Sequence, residues 1–180
     1  MVCTGNICRS PFIERILRIS LPRSIVVTSA GTEALVGEPM DPAVAEHVRR
    51  HGGDPEGFAA RQVPAEMVAE VDLVLTATRA HRAAVASLQP RALRYGFTLR
   101  DFSDLAVGLD IDFGTRGDHP TESWVGHVTR VVADRRGVVA PRNAVEMDIV
   151  DPYRREDRVA GAMARQVLAA LPPVLRLLRG

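Results

Sequence analysis

A cysteine and an arginine separated by five residues stand in Cys3-Thr4-Gly5-Asn6-Ile7-Cys8-Arg9-Ser10, and Ser10-Pro11 leads into a helical pattern. A tight loop entering a helix N-terminus points several backbone N–H groups inward, and the helix dipole adds partial positive charge. Gly5 and Asn6 are residue types that tolerate the left-handed backbone angles such a loop demands. The planar fork of Arg9 matches two oxygens of a phosphate. The expectation is a phosphate-binding loop made by Thr4, Gly5, Asn6, Ile7, Cys8, Arg9 and Ser10. The same field favours the thiolate of Cys3, which is the reactive form of cysteine. A thiolate beside a phosphate monoester can attack phosphorus in line and form a cysteinyl-phosphate that water then hydrolyses. Ser10 is expected to donate a hydrogen bond to that sulfur.

An aryl oxygen leaves poorly unless it is protonated, so the chemistry calls for an acid. The best candidate is Asp151 in Asp148-Ile149-Val150-Asp151-Pro152-Tyr153, where Pro152 stiffens the backbone and Tyr153 offers an aromatic wall. Neither signal is specific alone. An Asp-Pro is most often a turn or a cap, and a bare Cys-x5-Arg is a common pairing. Weight comes from context: Gly and Asn inside the loop, Ser-Pro at its exit, and strand-like residues before it.

These residues need a scaffold, and short β-branched runs alternate with helical stretches along the chain. Residues 24–28 and 72–76 read as strands, with a third around Phe97-Thr98-Leu99. Helical patterns cover residues 11–21, residues 42–51 after the N-cap Asp41, residues 79–88, and residues 122–136. Residues 110–120 and 137–143 read as loop. A long amphipathic helix is expected over residues 154–179, kinked or broken at Pro172-Pro173. Such alternation predicts an α/β fold: one three-layer domain over residues 1–180, with a short parallel sheet of about four strands flanked by helices. The phosphate-binding loop follows the first strand, since ligands of such sheets bind at the strands' carboxyl ends.

Bulk properties exclude several classes. The chain has 180 residues, 23 basic and 22 acidic, and 4% aromatic residues, so it lacks the basic stripe and stacking platforms of a nucleic-acid binder. No apolar stretch approaches the roughly 20 residues that cross a bilayer, and the opening residues do not read as a signal peptide. The expected setting is the cytoplasm, without membrane insertion, as a monomer or weak dimer. The only cysteines are Cys3 and Cys8, too few for a disulfide scaffold or a structural zinc site. The histidines His47, His51, His81, His119 and His127 are scattered, and no metal or other cofactor is expected.

The loop of residues 2–11 and the late Asp151-Pro152-Tyr153 resemble the low-molecular-weight protein tyrosine phosphatase family. The resemblance extends to Ser29-Ala30-Gly31-Thr32, Ala60-Arg61-Gln62 and residues 72–76, covering most of residues 1–100 and 148–180. It implies that Cys3 is the nucleophile, that Arg9 binds and stabilises the transferring phosphoryl group, and that Asp151 is general acid and then base. Asn6 and Ser10 would shape the loop. Ala34-Leu35-Val36-Gly37 and Asp151-Pro152-Tyr153-Arg154 look like the bacterial branch, which implies a phosphotyrosine protein substrate such as an autophosphorylated tyrosine kinase of exopolysaccharide export. Leu35 and Tyr153 would flank the substrate ring. Phosphoarginine phosphatases of the same fold resemble this loop but carry threonine where Ile7 stands, and a bulky Ile7 favours an aromatic ring. The resemblance also makes Cys8 a protective disulfide partner for oxidised Cys3; the plainer alternative is a small packed loop residue.

Three departures accompany this. Only Met1-Val2 precede Cys3, which leads to the expectation of a longer natural chain upstream. Phe58 stands where many members place a histidine that bonds the loop asparagine, so Asn6 is expected to need another partner. Residues 104–146 are longer than the family leads one to expect, as a surface elaboration or as a lid near Asp151. Two rivals remain open. An arsenate reductase of this fold needs further cysteines downstream, and none follows Cys8. A catalytically impaired phosphotyrosine-binding module is disfavoured by the presence of Cys3, Arg9 and Asp151 together.

Overall fold

The computed structural model describes residues 1–111, 122–140 and 142–180. Four short strands, β1 (Val2–Cys3), β2 (Ala30–Gly31), β3 (Val74–Thr76) and β4 (Gly96–Thr98), form one sheet in the order β2-β1-β3-β4. All three pairings are parallel, with Val2 opposite both Ala30 and Thr76, and Leu75 opposite Phe97. Parallel neighbours require crossover connections, and the intervening helices supply them.

Strand side chains alternate between two faces, and this divides the core. Cys3, Leu75 and Phe97 point into the larger cluster, built with α1 (Arg9–Ser20), α2 (Pro42–Arg50), α5 (Leu99–Ala106), α6 (Trp124–Ala133) and α8 (Asp157–Arg179). Val2, Ala30 and Val74 point the other way, onto α3 (Ala65–Ala69), α4 (Arg79–Leu88) and a 3-10 turn (Pro90–Leu93) through Val68, Val85 and Ala92. The result is the three-layer α/β arrangement expected from the alternating pattern. The remaining helix, α7 (Ala144–Met147), is a single turn before Asp148.

Helix starts follow local chemistry. Asp41 caps α2 by accepting from the N–H groups of Ala43 and Val44, with Pro42 in the first turn. Thr78 caps α4 by accepting from His81 N–H. α1 begins at Arg9 rather than at residue 11, because Pro11 sits in the first turn, where no N–H is required.

Two expectations are corrected. Residues 24–28 are not a regular strand; only Ala30–Gly31 joins the ladder. Their β-branched composition suits a strand, but Ala30 N–H donates to Met1 O, so nothing of β1 lies beside residues 24–27. Between that segment and Leu73–Leu75 runs an apolar groove of about 840 Å³. The second correction is α8, which starts at Asp157 and continues as one helix through Pro172 and Pro173, so it is not broken there. Loss of two helix hydrogen bonds there is outweighed by a continuous buried face that includes Val167, Leu171, Val174 and Leu178. α6 is fastened to this helix: Val128 and Val132 are fully buried, and Trp124 Nε1 donates to Leu177 O at 3.0 Å. The loop expected over residues 110–120 lies largely outside the described residues, as does part of the 104–146 stretch.

Candidate active site

β1 ends at Cys3 and α1 begins at Arg9, so the loop between them spans the carboxyl edge of the central strand and the N-terminus of a buried helix. The first α1 ladder bond runs from Phe12 N–H to Cys8 O at 3.1 Å, which leaves the N–H groups of Arg9 and Ser10 outside the ladder. Asn6 adopts φ 55°, the left-handed conformation that lets the chain double back. Gly5 does not share it.

Asn6 is fully buried and organises the loop. Its Nδ2 donates to Ser10 Oγ at 2.8 Å and to Ser29 Oγ at 2.9 Å, while Oδ1 accepts from Arg61 N–H at 2.9 Å. These are the partners that Asn6 was expected to need, and none involves Phe58, which packs against the larger core. Ser29 Oγ donates a hydrogen bond to buried Glu14, whose charge is met by Arg18 at 2.9 Å. Ser10 Oγ lies 3.0 Å from Cys3 Sγ, so the sulfur is tied to this network.

The segments around the loop are clamped to it. Leu35 N–H donates to Gly5 O at 3.0 Å, and Gln62 holds Ala34 N–H and Thr32 O through its amide. Gly31 passes so close that a Cβ there would lie 2.2 Å from Thr4 O, which explains the need for glycine. Cys8 and Ile7 are buried and belong to the larger cluster, with Ile7 also beside Gly5. Burial, followed by the Asp41 charge, pushes the Cys8 thiol well above the ordinary range.

Arg9 is 5% exposed. Its Nη2 donates to Asp151 Oδ2 at 2.8 Å and lies 3.4 Å from Thr4 Oγ1. Its Nε is buried and has no partner among the described residues. Asp151 is brought over the loop by a short pinned segment: Ile149 N–H donates to Ala77 O, and Val150 N–H to Gln166 Oε1, both at 2.9 Å. Asp151 is half exposed, and its Oδ1 accepts from Tyr153 N–H at 3.2 Å. Leu35 and Tyr153, expected to flank a substrate ring, are both partly exposed.

One residue at the site was not singled out from sequence. His81, on the first turn of α4, places Nε2 2.8 Å from Thr4 Oγ1 and Nδ1 2.8 Å from Thr78 Oγ1. Burial, and then the nearby Arg9 cation, lower its pKa to about 4. The only sequence sign was its place three residues after a threonine cap. Among the described residues no cluster of three or more potential metal ligands occurs, and no helix is long and apolar enough to cross a membrane.

A tight strand-to-helix loop on a four-stranded parallel sheet, closed by an aspartate from a distant turn, defines a class of protein. Residues 1–134 match the family model described as Low molecular weight phosphotyrosine protein phosphatase, and the chain belongs to that family. It is 46% identical over 90 residues to the low molecular weight protein-tyrosine-phosphatase Etp of Escherichia coli K12. That match covers 50% of this chain and 60% of the relative, so the chain spans less than two thirds of that protein. Among solved structures, Vibrio vulnificus Wzb in complex with benzylphosphonate superposes with a TM-score of 0.68 at 23% identity, covering 97% of this chain and 94% of that one. The YwlE arginine phosphatase of Geobacillus stearothermophilus gives a TM-score of 0.69 at 21% identity, covering 97% and 88%. The fold is therefore common to both.

Proposed function

We propose that the chain is a protein-tyrosine phosphatase that works through a cysteinyl-phosphate on Cys3. The observation carrying this is the contact of Arg9 with Asp151 across the loop that begins at Cys3. It joins, from positions 142 residues apart, the two groups the chemistry requires beside the sulfur. The unpartnered Nε of Arg9 and the first-turn N–H groups of α1 are the donors a phosphoryl group would engage.

Cys3 Sγ attacks phosphorus and the bond to the aryl oxygen breaks. Asp151, in its carboxylic acid form, gives its proton to that oxygen. A bound phosphoryl group would compete with Asp151 for the guanidinium of Arg9. In the second step Asp151 takes a proton from water, the water oxygen bonds to phosphorus, and the sulfur–phosphorus bond breaks. Ser10, 3.0 Å from Sγ, stabilises the departing thiolate.

Ile7 and the aromatic Tyr153 favour phosphotyrosine over phosphoarginine. The bacterial-branch resemblance, together with similarity to proteins named Wzb and Etp, supports a phosphotyrosine protein partner such as an autophosphorylated bacterial tyrosine kinase. We read residues 1–180 as one phosphatase domain acting in the cytoplasm, with residues 104–146 as an elaboration. The test is acid quench after mixing with a phosphotyrosine peptide, followed by peptide mapping. Phosphate on Cys3 is the expected result; phosphate released with no labelled cysteine contradicts the covalent route.

A further inference from the structure

His81 stands on the first turn of α4, and its imidazole ends on the loop. We propose that His81 is a positioning residue that acts through Thr4 to set the guanidinium of Arg9 for phosphoryl transfer. This rests on the phosphatase reading above.

The contacts form a continuous chain. Thr78 caps α4 and accepts from His81 N–H at 3.2 Å, which fixes the turn that carries the imidazole. Nδ1 then meets Thr78 Oγ1 and Nε2 meets Thr4 Oγ1, both at 2.8 Å, so the ring is held at both nitrogens. Thr4 Oγ1 is in turn 3.4 Å from Arg9 Nη2, the same nitrogen that contacts Asp151. A guanidinium has only donors, so Thr4 Oγ1 serves Arg9 as an acceptor. Holding that oxygen in place is what the imidazole does. His81 is 7% exposed, and the charges that act on it are those of Arg9 and of the carboxylates Asp151 and Asp148. An uncharged ring beside Arg9 orients without repelling the cation.

The geometry matters because Arg9 has competing demands. Asp151 draws Nη2 toward the site's mouth, whereas phosphoryl oxygens need the fork turned toward Cys3. Thr4, held by His81, gives the guanidinium a second anchor when Asp151 lets go. Loss of this anchor should affect the transition state more than the initial encounter with substrate, because in-line transfer depends on fork alignment.

The test is a double-mutant cycle with Thr4→Val and His81→Leu, alone and together, in the full chain. Turnover of p-nitrophenyl phosphate and inhibition by inorganic phosphate are the readouts, with circular dichroism and melting for every variant. His81→Gln, whose amide can reach the same hydroxyl, is the conservative control. We expect each single change to lower kcat by about 10-fold with KM changed less than threefold. The double variant should be no worse than either single one, and His81→Gln should recover most of the loss. Independent, multiplicative losses in folded variants overturn the proposal while the parent's turnover leaves the phosphatase reading intact. Equal activity of parent and His81→Leu does the same. A folded parent with no turnover removes the phosphatase reading, and this proposal with it. If His81→Leu does not fold, the comparison of Thr4→Val with Thr4→Ser decides: a serine that fails to preserve kcat overturns the role of the hydroxyl.

Discussion

Arg9 Nη2 and Asp151 Oδ2 stand 2.8 Å apart, one buried at the base of the site and the other half exposed at its mouth. The ion pair ties the loop to the segment that carries Asp151, and in the proposed reaction a phosphoryl group would share or break it. A lysine at position 9 would keep the charge but lose the planar fork. Arg9→Lys should therefore reduce kcat by on the order of 100-fold, measured with p-nitrophenyl phosphate. Activity within a few-fold of the parent would show that the fork is not required.

Asn6 combines a left-handed backbone with three side-chain hydrogen bonds, two of them buried. Asn6→Ala removes the bonds, leaves Ser29 and Arg61 N–H short of a partner, and puts a Cβ residue less suited to φ 55° in its place. A loss of about 2–3 kcal/mol is expected in urea unfolding. Catalysis should fall further than stability alone explains, because Ser10 loses its donor. An unchanged midpoint and rate would mean that the network is not holding the loop.

The pH dependence of stability should carry the signature of His81. Its folded pKa of about 4 lies below the ordinary histidine value of 6.5. Between those values the unfolded chain binds a proton that the folded chain does not. Stability contributed by neutral His81 is thus present above pH 6.5 and lost as pH falls toward 4, by on the order of 3 kcal/mol in total. Arg9 opposes protonation there, while Asp151 and Asp148 favour it. His81→Gln should flatten the slope of unfolding free energy between pH 6.5 and 4.5. An identical slope in the variant would place the titration elsewhere.

How much of this was legible beforehand depends on the range of the interactions. The Cys3 to Arg9 spacing, the Asp41 cap of α2 and the central strands are written in neighbouring residues, and sequence reading reaches them. His81 was not, because its partner Thr4 lies 77 residues away and nothing beside it advertises the contact. Residues 24–28 have strand composition, but a strand also needs a neighbour: Met1 reaches only Thr28 O and Ala30 N–H, and β1 pairs with Ala30–Gly31. Pro172 and Pro173 break helices locally, yet the buried face of α8 overrides them. Each miss is a tertiary contact prevailing over a local preference.

Substrate choice should respond to Ile7. Replacing it with threonine shortens an apolar side chain that, like Leu35, lies beside Gly5. Ile7→Thr should raise turnover of phosphoarginine relative to phosphotyrosine by on the order of 10-fold. An unchanged ratio would count against Ile7 as the discriminating residue.

Cys8 is buried, as is Cys3, and burial holds its thiol protonated. If it captures a sulfenic acid formed on Cys3, Cys8→Ser should leave peroxide inactivation harder to reverse with thiol. Equal recovery in both proteins would assign Cys8 to packing alone.

The most direct test of the central claim is hydrolysis of p-nitrophenyl phosphate from pH 5 to 8 without added metal, comparing the parent with Cys3→Ser and Asp151→Asn, each checked for folding by circular dichroism. Turnover abolished by the first change and strongly reduced by the second is the expected result. A folded parent that does not turn over, or a Cys3→Ser variant that retains full activity, would contradict it.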